Sequence, residues 1–446
     1  MAAEKILLEL EPLDTLFFRD ARPMQAGAGS GGHGARWPLP TVVHEALRTA
    51  LLRQSGELPA ARLERGHHRR KRPWERWIAT RAFESLRLMG PLPVREGEIY
   101  LPRPADAVPA AGKRVIVMAP LAGSVGSSSP PAAARDLCRD GKHPGQEGGR
   151  AAWQLRGVAA AVEPSKEEAA RWVPVADFVR LIRSAPGEAL KLEEVKALWD
   201  EEFRIGIQVD SKTRTAAEGQ FYTAEHLRLR EGVRLWLAAE LSPVGDRREE
   251  EIRWLKELAG GGLTLGGESR QCRVLSSRAE LAVEPPPLPA AGPWGIRWVL
   301  ATPAVFEGGW RPGWVCGQTG AVCLRVETPR QAGESRGAWR ERLESAPEIR
   351  ARLVAVCSDK PVAFSGWETV PAPNGGKTGP KPTRLAVPAG SVYYFEAESR
   401  EDADALVKVL HGRTRSDRFG EKGMGWGFCG TWKPLELPFL QGKEGK

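Results

Sequence analysis

The sequence predicts an α+β protein in two related halves, each a layer of antiparallel strands with few helices. Strand-period runs outnumber helical ones, the two do not alternate as a βαβ series, and one proline-rich stretch divides the chain. Residues 4–10 alternate apolar and charged positions, as a first strand should. A loop with Phe17, Phe18, Arg19, Asp20, Arg22 and Pro23 follows, then the glycine run 27–34. Pro40 and Thr41 open a helix through Arg53, with Val42, Val43, Ala46, Leu47, Ala50 and Leu51 on one face.

The stretch from about 54 to 200 reads as helical and disordered insertions. Residues 62–76 are very basic, 119–149 are rich in Gly, Ser and Pro, and 164–199 have a helical pattern. An apolar strand, 204–210, then runs into a polar stretch with Lys212 and Arg214 and into the aromatic pair Phe221 and Tyr222. That is either an extended arm with a charged tip and a hydrophobic base or an ordinary β-hairpin. A helix over 249–259, with Ile252, Leu255 and Leu258 inward, is ended by Gly260, Gly261 and Gly262, and a strand spans 272–275. Pro285, Pro286, Pro287 and Pro289 mark a linker, 285–293, between halves 1–284 and 294–446. The second half restarts with strand 294–302, carrying Ile296, Trp298 and Leu300 on one side. Strands over 321–326, 352–356 and 392–396 and a helix over 401–411 complete it.

Composition bounds the partner. With 446 residues, 41% hydrophobic and 27% charged, the chain is long enough for two or three cored domains. Lys and Arg total 65 against 56 Asp and Glu, a net charge of +9 that favours a polyanion. No run approaches a membrane-spanning length, and the first residues lack a signal peptide's pattern, so a cytoplasmic protein is expected. Six cysteines without a CxxC pair read as reduced, buried thiols.

The densest glycine signal is near the end, where Arg413, Arg415 and Arg418 precede Phe419-Gly420-Glu421-Lys422-Gly423-Met424-Gly425-Trp426-Gly427-Phe428-Cys429-Gly430. Gly425, Gly427 and Gly430 satisfy G-x-G-x-x-G, but no helix and second strand follow within the needed span, which excludes a dinucleotide fingerprint. Two readings remain: a backbone cradle for nucleic acid, or a tight packing turn. The basic run 62–81, interleaved with Trp74 and Trp77, is either a solvated face or a phosphate track. Catalytic chemistry has little to build on, with no HExxH, no G-x-S-x-G and no metal cluster. His44 is either a structural residue or a lone general base.

Five motifs in order resemble one family. The segment 10–23 (Leu-Glu-Pro-Leu-Asp-Thr-Leu-Phe-Phe-Arg-Asp-Ala-Arg-Pro) resembles the opening of the third subunit of Cmr-type (type III-B) CRISPR effector complexes, of the RAMP superfamily. The helix 41–52 resembles its next element, and Arg204-Ile205-Gly206-Ile207 with Glu218-Gly219-Gln220-Phe221-Tyr222 its central segment. Leu265-Gly266-Gly267-Glu268-Ser269-Arg270 resembles its Gly-Gly-Glu motif, and the terminal glycine loop the RAMP signature loop.

The resemblance implies two ferredoxin-like domains related to the RRM, with sizeable insertions in the N-terminal one. It implies a non-catalytic subunit, with no cofactor and no metal, that caps the repeat-derived 5′ tag of crRNA. It would link the large polymerase/cyclase-like subunit to the RAMP backbone subunits and meet target RNA only indirectly. A metal-independent crRNA-processing endoribonuclease is the alternative that the superfamily offers. The implied RNA contacts are Arg19 and Arg22, Lys212 and Arg214, Gly266, Gly267 and Arg270, and Gly423, Gly425 and Gly427. Glu268, repelled by phosphate, is expected to pair with a nearby arginine or to accept from a base.

Overall fold

A computed structural model describes residues 4–21, 31–32, 34–57, 82–122, 154–210, 212–242, 247–326, 334–368 and 379–436. Strand β1 (Glu4–Pro12) puts Leu8 and Leu10 fully inside, as its alternation requires. Helix α1 (Pro40–Gln54) follows. Pro40 in its first turn costs no hydrogen bond, because the leading N–H groups of a helix lack intrahelical partners. Val43, Leu47, Ala50 and Leu51 recur at helical spacing and pack on Leu8, Leu10, Leu235 and Leu237. At roughly 1.5–3 kcal/mol for each large apolar side chain fully buried, that stripe fixes the helix to the sheet.

Strands β2 (Arg87–Arg95), β3 (Glu98–Pro102) and β4 (Trp172–Pro174) come next, then helix α2 (Val175–Arg183) and the long pair β5 (Trp199–Val209) and β6 (Ala216–Leu229). Strand β7 (Val233–Leu241), helix α3 (Arg248–Glu257) and strands β8 (Gly262–Thr264) and β9 (Gln271–Ser276) complete this half. Seven strands form one sheet in the order β8-β9-β1-β7-β2-β3-β4. Within it β1, β2, β7 and β9 lie in the order fourth, first, third, second, each antiparallel to its neighbour.

Two expectations for 54–200 need correction. Residues 87–95 are a core strand between β7 and β3, not part of an insertion. Gly90, Pro91 and Pro93 disguise the strand, and burial of nearly all its residues removes the alternation that would have betrayed it. The helix expected over 164–199 is only Val175–Arg183. Its flank Trp172–Pro174 pairs with Tyr100–Pro102, and Ala189–Lys191 pairs with Arg114–Val117. The basic run 62–81 and residues 123–149 of the Gly/Ser/Pro stretch lie outside the described residues.

The second half has β10 (Trp294–Leu300), α4 (Arg336–Glu344), β11 (Ala351–Cys357), β12 (Val392–Ala397), α5 (Arg400–Leu410), β13 (Arg413–Thr414) and β14 (Trp426–Trp432). Its sheet runs β11-β12-β10-β14-β13, so β10, β11, β12 and β14 repeat the order fourth, first, third, second. Residues 321–326, expected as a strand, make isolated bridges, Ala321 to Arg352 and Arg325 to Glu348.

Strand β10 divides two cores by alternation. Ile296, Trp298 and Leu300 pack with Leu406 and Leu410 of α5. Val299 faces the other way, into a core shared by the halves, where Leu92, Trp236 and Ala238 meet Tyr394, Trp426 and Phe428. Trp236 and Trp426 stack there at 6.4 Å. Ala279 and Val283, just before the prolines, are buried in this same core, so the connector is packed at its start. Of the described cysteines, Cys272, Cys357 and Cys429 are buried as expected, whereas Cys323 is exposed and Cys316 half-buried.

Candidate nucleic-acid interface

Three segments far apart in sequence come together beside β1. The loop after β1 bonds to the root of the arm, with Leu16 and Leu227 exchanging N–H···O bonds of 2.8 Å each way. The 265–270 turn lies on that loop, where Gly267 N–H donates to the Phe17 carbonyl at 2.8 Å. Gly266 has φ +77°, and a Cβ there would stand 2.5 Å from the Phe17 oxygen, so this turn needs glycine for both conformation and space. Phe17 in turn stacks on His226 of β6, ring centroids 5.0 Å apart.

Polar groups fill the junction. The buried His226 shares a 3.0 Å hydrogen bond between Nδ1 and Thr15 Oγ1, and its Nε2 is 3.6 Å from Glu268. Burial lowers its pKa against the pull of Glu268, which favours the neutral ring. Arg270 bonds to Glu268 at 2.7 Å and to Asp14 at 3.0 Å, so Glu268 has the arginine partner expected of it. Asp14 also receives Arg204 and Arg228, each at 3.2 Å. Glu202 joins both of those arginines, and Arg228 foremost, then Arg204, hold its carboxyl down at about 2.

Strands β5 and β6 form the arm. Asp210 organises its tip by accepting from the N–H groups of Lys212 (2.7 Å) and Thr213 (3.1 Å). Lys212 and Arg214 are exposed there. The hydrophobic base expected of the arm takes a different form. Phe203, Ile205, Ile207 and Val209 are 68, 76, 55 and 55% exposed, a stripe along one face of β5 reaching almost to the tip. Period 2 explains it, because the intervening Glu202 and Arg204 turn toward Asp14 and Arg228.

The structure thus brings Gly266, Gly267 and Arg270 to one surface with the loop that carries Arg19, which is exposed and bridged to Gly34. Lys212 and Arg214 stand at the far end of the arm rooted there, and Arg22 lies outside the described residues. Sequence reasoning passed over Asp14, Glu202 and Arg228.

The terminal glycines require a correction. Gly423, Gly425 and Gly427 are buried, and their amides are already committed. Gly423 N–H donates to Gly420 and Gly425 N–H to Pro303 at 2.8 Å, while Gly427 pairs within the sheet with Arg413 and accepts from Gly412 N–H at 2.9 Å. Gly423 packs against Leu88, Gly90 and Pro40 of the first half, and Gly425 and Gly427 pack against Ser416 and Trp298 of their own half. Lys422 of the same loop reaches Glu45 on α1. His44 first, then Lys422, hold the Glu45 carboxyl at about 2. A carboxylate depressed in this way stabilises the fold above its unfolded pKa, and that contribution is lost as pH falls from about 4.5 through about 2. Lys422→Met should therefore lower the melting temperature near neutral pH, with the deficit shrinking toward pH 2. A deficit that stays constant across this range would remove the pair from the account.

Among the described residues no group of three His, Cys, Asp or Glu could hold a metal ion. His44 is buried, with Nε2 on the Leu86 carbonyl at 3.1 Å, which removes it as a surface base. No described helix is long and apolar enough to cross a membrane.

Two mostly antiparallel sheets with few helices, a charged arm and a Gly-Gly-Glu turn define an α+β protein. Residues 8–432 match the family described as CRISPR-associated protein (Cas_Cmr3), and the chain belongs to that family. No curated protein matches it in sequence. Solved structures similar to it include type III-B Cmr-beta bound to cognate target RNA, with TM-score 0.38 and 12% identity over 88% of this chain and 86% of that one. Another is the Csm3-Csm4 subcomplex of the type III-A CRISPR-Cas interference complex, with TM-score 0.34 and 10% identity over 87% and 92%.

Proposed function

We propose that this chain is the non-catalytic subunit of a type III-B effector complex that binds the repeat-derived 5′ tag of crRNA. It joins the large polymerase/cyclase-like subunit to the backbone RAMP subunits, in the cytoplasm, and meets target RNA only through the complex. The observation that carries this is the convergence of the first loop, the Gly-Gly-Glu turn and the arm root on one surface, where three ion-paired arginines gather, in a chain of the Cas_Cmr3 family. Both halves are read as ferredoxin-like, supported by the fourth-first-third-second strand order that each repeats. Phosphate contacts with the exposed Arg19, Lys212 and Arg214 suit a single strand whose bases are splayed.

Purified chain, alone or with the large subunit, is expected to bind tag-bearing RNA more tightly than RNA without the tag at physiological salt. Equal affinity for the two would overturn the tag assignment. Replacing Lys212 and Arg214 together by Ala should weaken binding about tenfold, about 1.4 kcal/mol. It should also reduce the salt slope by about 0.7 for each phosphate no longer neutralised. Specific cleavage of repeat RNA in EDTA, abolished by His44→Ala, would replace the non-catalytic reading by the endoribonuclease.

A further inference from the structure

Arg204 on β5, Arg228 on β6 and Arg270 on the Gly-Gly-Glu turn all aim at the carboxylate of Asp14. Three guanidiniums, drawn from positions up to 256 residues away, thus converge on one exposed acid. We propose that Asp14 occupies the position of a backbone phosphate, and that a phosphodiester of the bound strand displaces it to be held by Arg204, Arg228 and Arg270. This rests on the RNA-binding reading and assigns a site within that surface.

The exchange is balanced. Glu202 stays with Arg204 and Arg228, and Glu268 with Arg270, so the fan of arginines is held whether Asp14 is present or not. A phosphodiester brings the same single negative charge that Asp14 removes, with oxygens placed to accept several N–H donors at once. Displacement costs little. Asp14 is 45% exposed and lies in a bend beyond the end of β1, and ion pairs so open to water are individually weak. Burial opposes ionisation of Asp14, but the Thr15 backbone bond and the arginines still hold its pKa below normal, so it remains an anion at neutral pH. It therefore competes with a phosphate instead of ignoring one. The site lies at the arm's root, about 20 Å of strand from the cationic tip, so root and tip grip well-separated phosphates of one strand, not adjacent ones.

The test uses the full chain and a short fluorescent single-stranded RNA, titrated at about 50 and about 200 mM salt. Asp14→Asn, which keeps shape and removes the competing charge, should tighten binding about threefold or more. Arg228→Gln should weaken it about fivefold and lower the salt slope by about 0.7. If wild type binds RNA and Asp14→Asn binds equally or less tightly with its melting temperature intact, the site is wrong. If Asp14→Asn does not fold, Arg228→Gln decides, and unchanged affinity there overturns the site. Loss of binding in Lys212→Ala/Arg214→Ala alongside no effect of Arg228→Gln would leave the RNA-binding reading standing and the site refuted. Failure of wild type to bind any RNA would overturn both.

Discussion

Gly425→Ala should unfold the chain at markedly lower temperature, with or without RNA present. Gly425 has φ +71°, and a Cβ there would lie 2.5 Å from Ser416 N and 2.8 Å from Ser416 Cβ. Both obstacles are rigid, since the 415–425 turn is tied by Arg415 N–H to Gly425 O at 2.9 Å and by Gly425 N–H to Pro303 O. Left-handed backbone strain on a β-carbon and an overpacking clash each cost roughly 1–3 kcal/mol, so about 3 kcal/mol in total is a reasonable expectation. Gly427→Ala should do similar damage, because its Cβ would meet Trp298 Nε1 at 2.5 Å and Val299 O at 2.7 Å. Gly420→Ala is the control. Its Cβ would have no neighbour nearer than Thr414 Oγ1 at 3.7 Å, so it should melt like wild type. Thermal unfolding of the three variants without RNA reads the effect directly. If Gly425→Ala melts like wild type but loses RNA affinity, the loop is a nucleic-acid cradle after all.

That contrast marks what a sequence can and cannot carry. Glycine density announces that backbone must come close to something. It does not say whether the neighbour is a phosphate or, as here, Ser416 and Trp298. Elements with a clean period were legible: β1 from its alternation, α1 and α5 from their apolar stripes, and the arm from its apolar run and cationic tip. Strand β2 was not, because burial on both faces and its Gly-Pro-Leu-Pro core erase the pattern. The segment 164–199 misled because one genuine nine-residue helix, with Phe178, Leu181 and Ile182 inward, lent its period to flanks that pair with distant strands. The Gly-Gly-Glu turn and Arg270 were found through motif resemblance. Their partner Asp14, 256 positions away, is a product of the fold and leaves no local trace.

The two halves should also prove thermodynamically inseparable at a single buried contact. Arg297 on β10 is fully buried, bonding Asp106 of the N-terminal half and donating to the Leu181 carbonyl at 2.9 Å. The Tyr394 hydroxyl from β12 donates to the other Asp106 oxygen. Asp106→Ala would strand a guanidinium in a core with no countercharge, which typically costs about 3–5 kcal/mol. Tyr394→Phe removes one neutral donor while Asp106 keeps Arg297, so about 1 kcal/mol is expected. Asp106→Ala with Arg297→Met should recover much of the loss, since an apolar pair of similar volume carries no desolvation penalty. Because the ion pair spans both halves, Asp106→Ala should shift the unfolding of both together, read by calorimetry on the intact chain. A variant in which only one transition moves, or in which the double substitution is as unstable as the sum of the single ones, would show that the halves are coupled through the apolar stack of Trp236 on Trp426 and not through this ion pair.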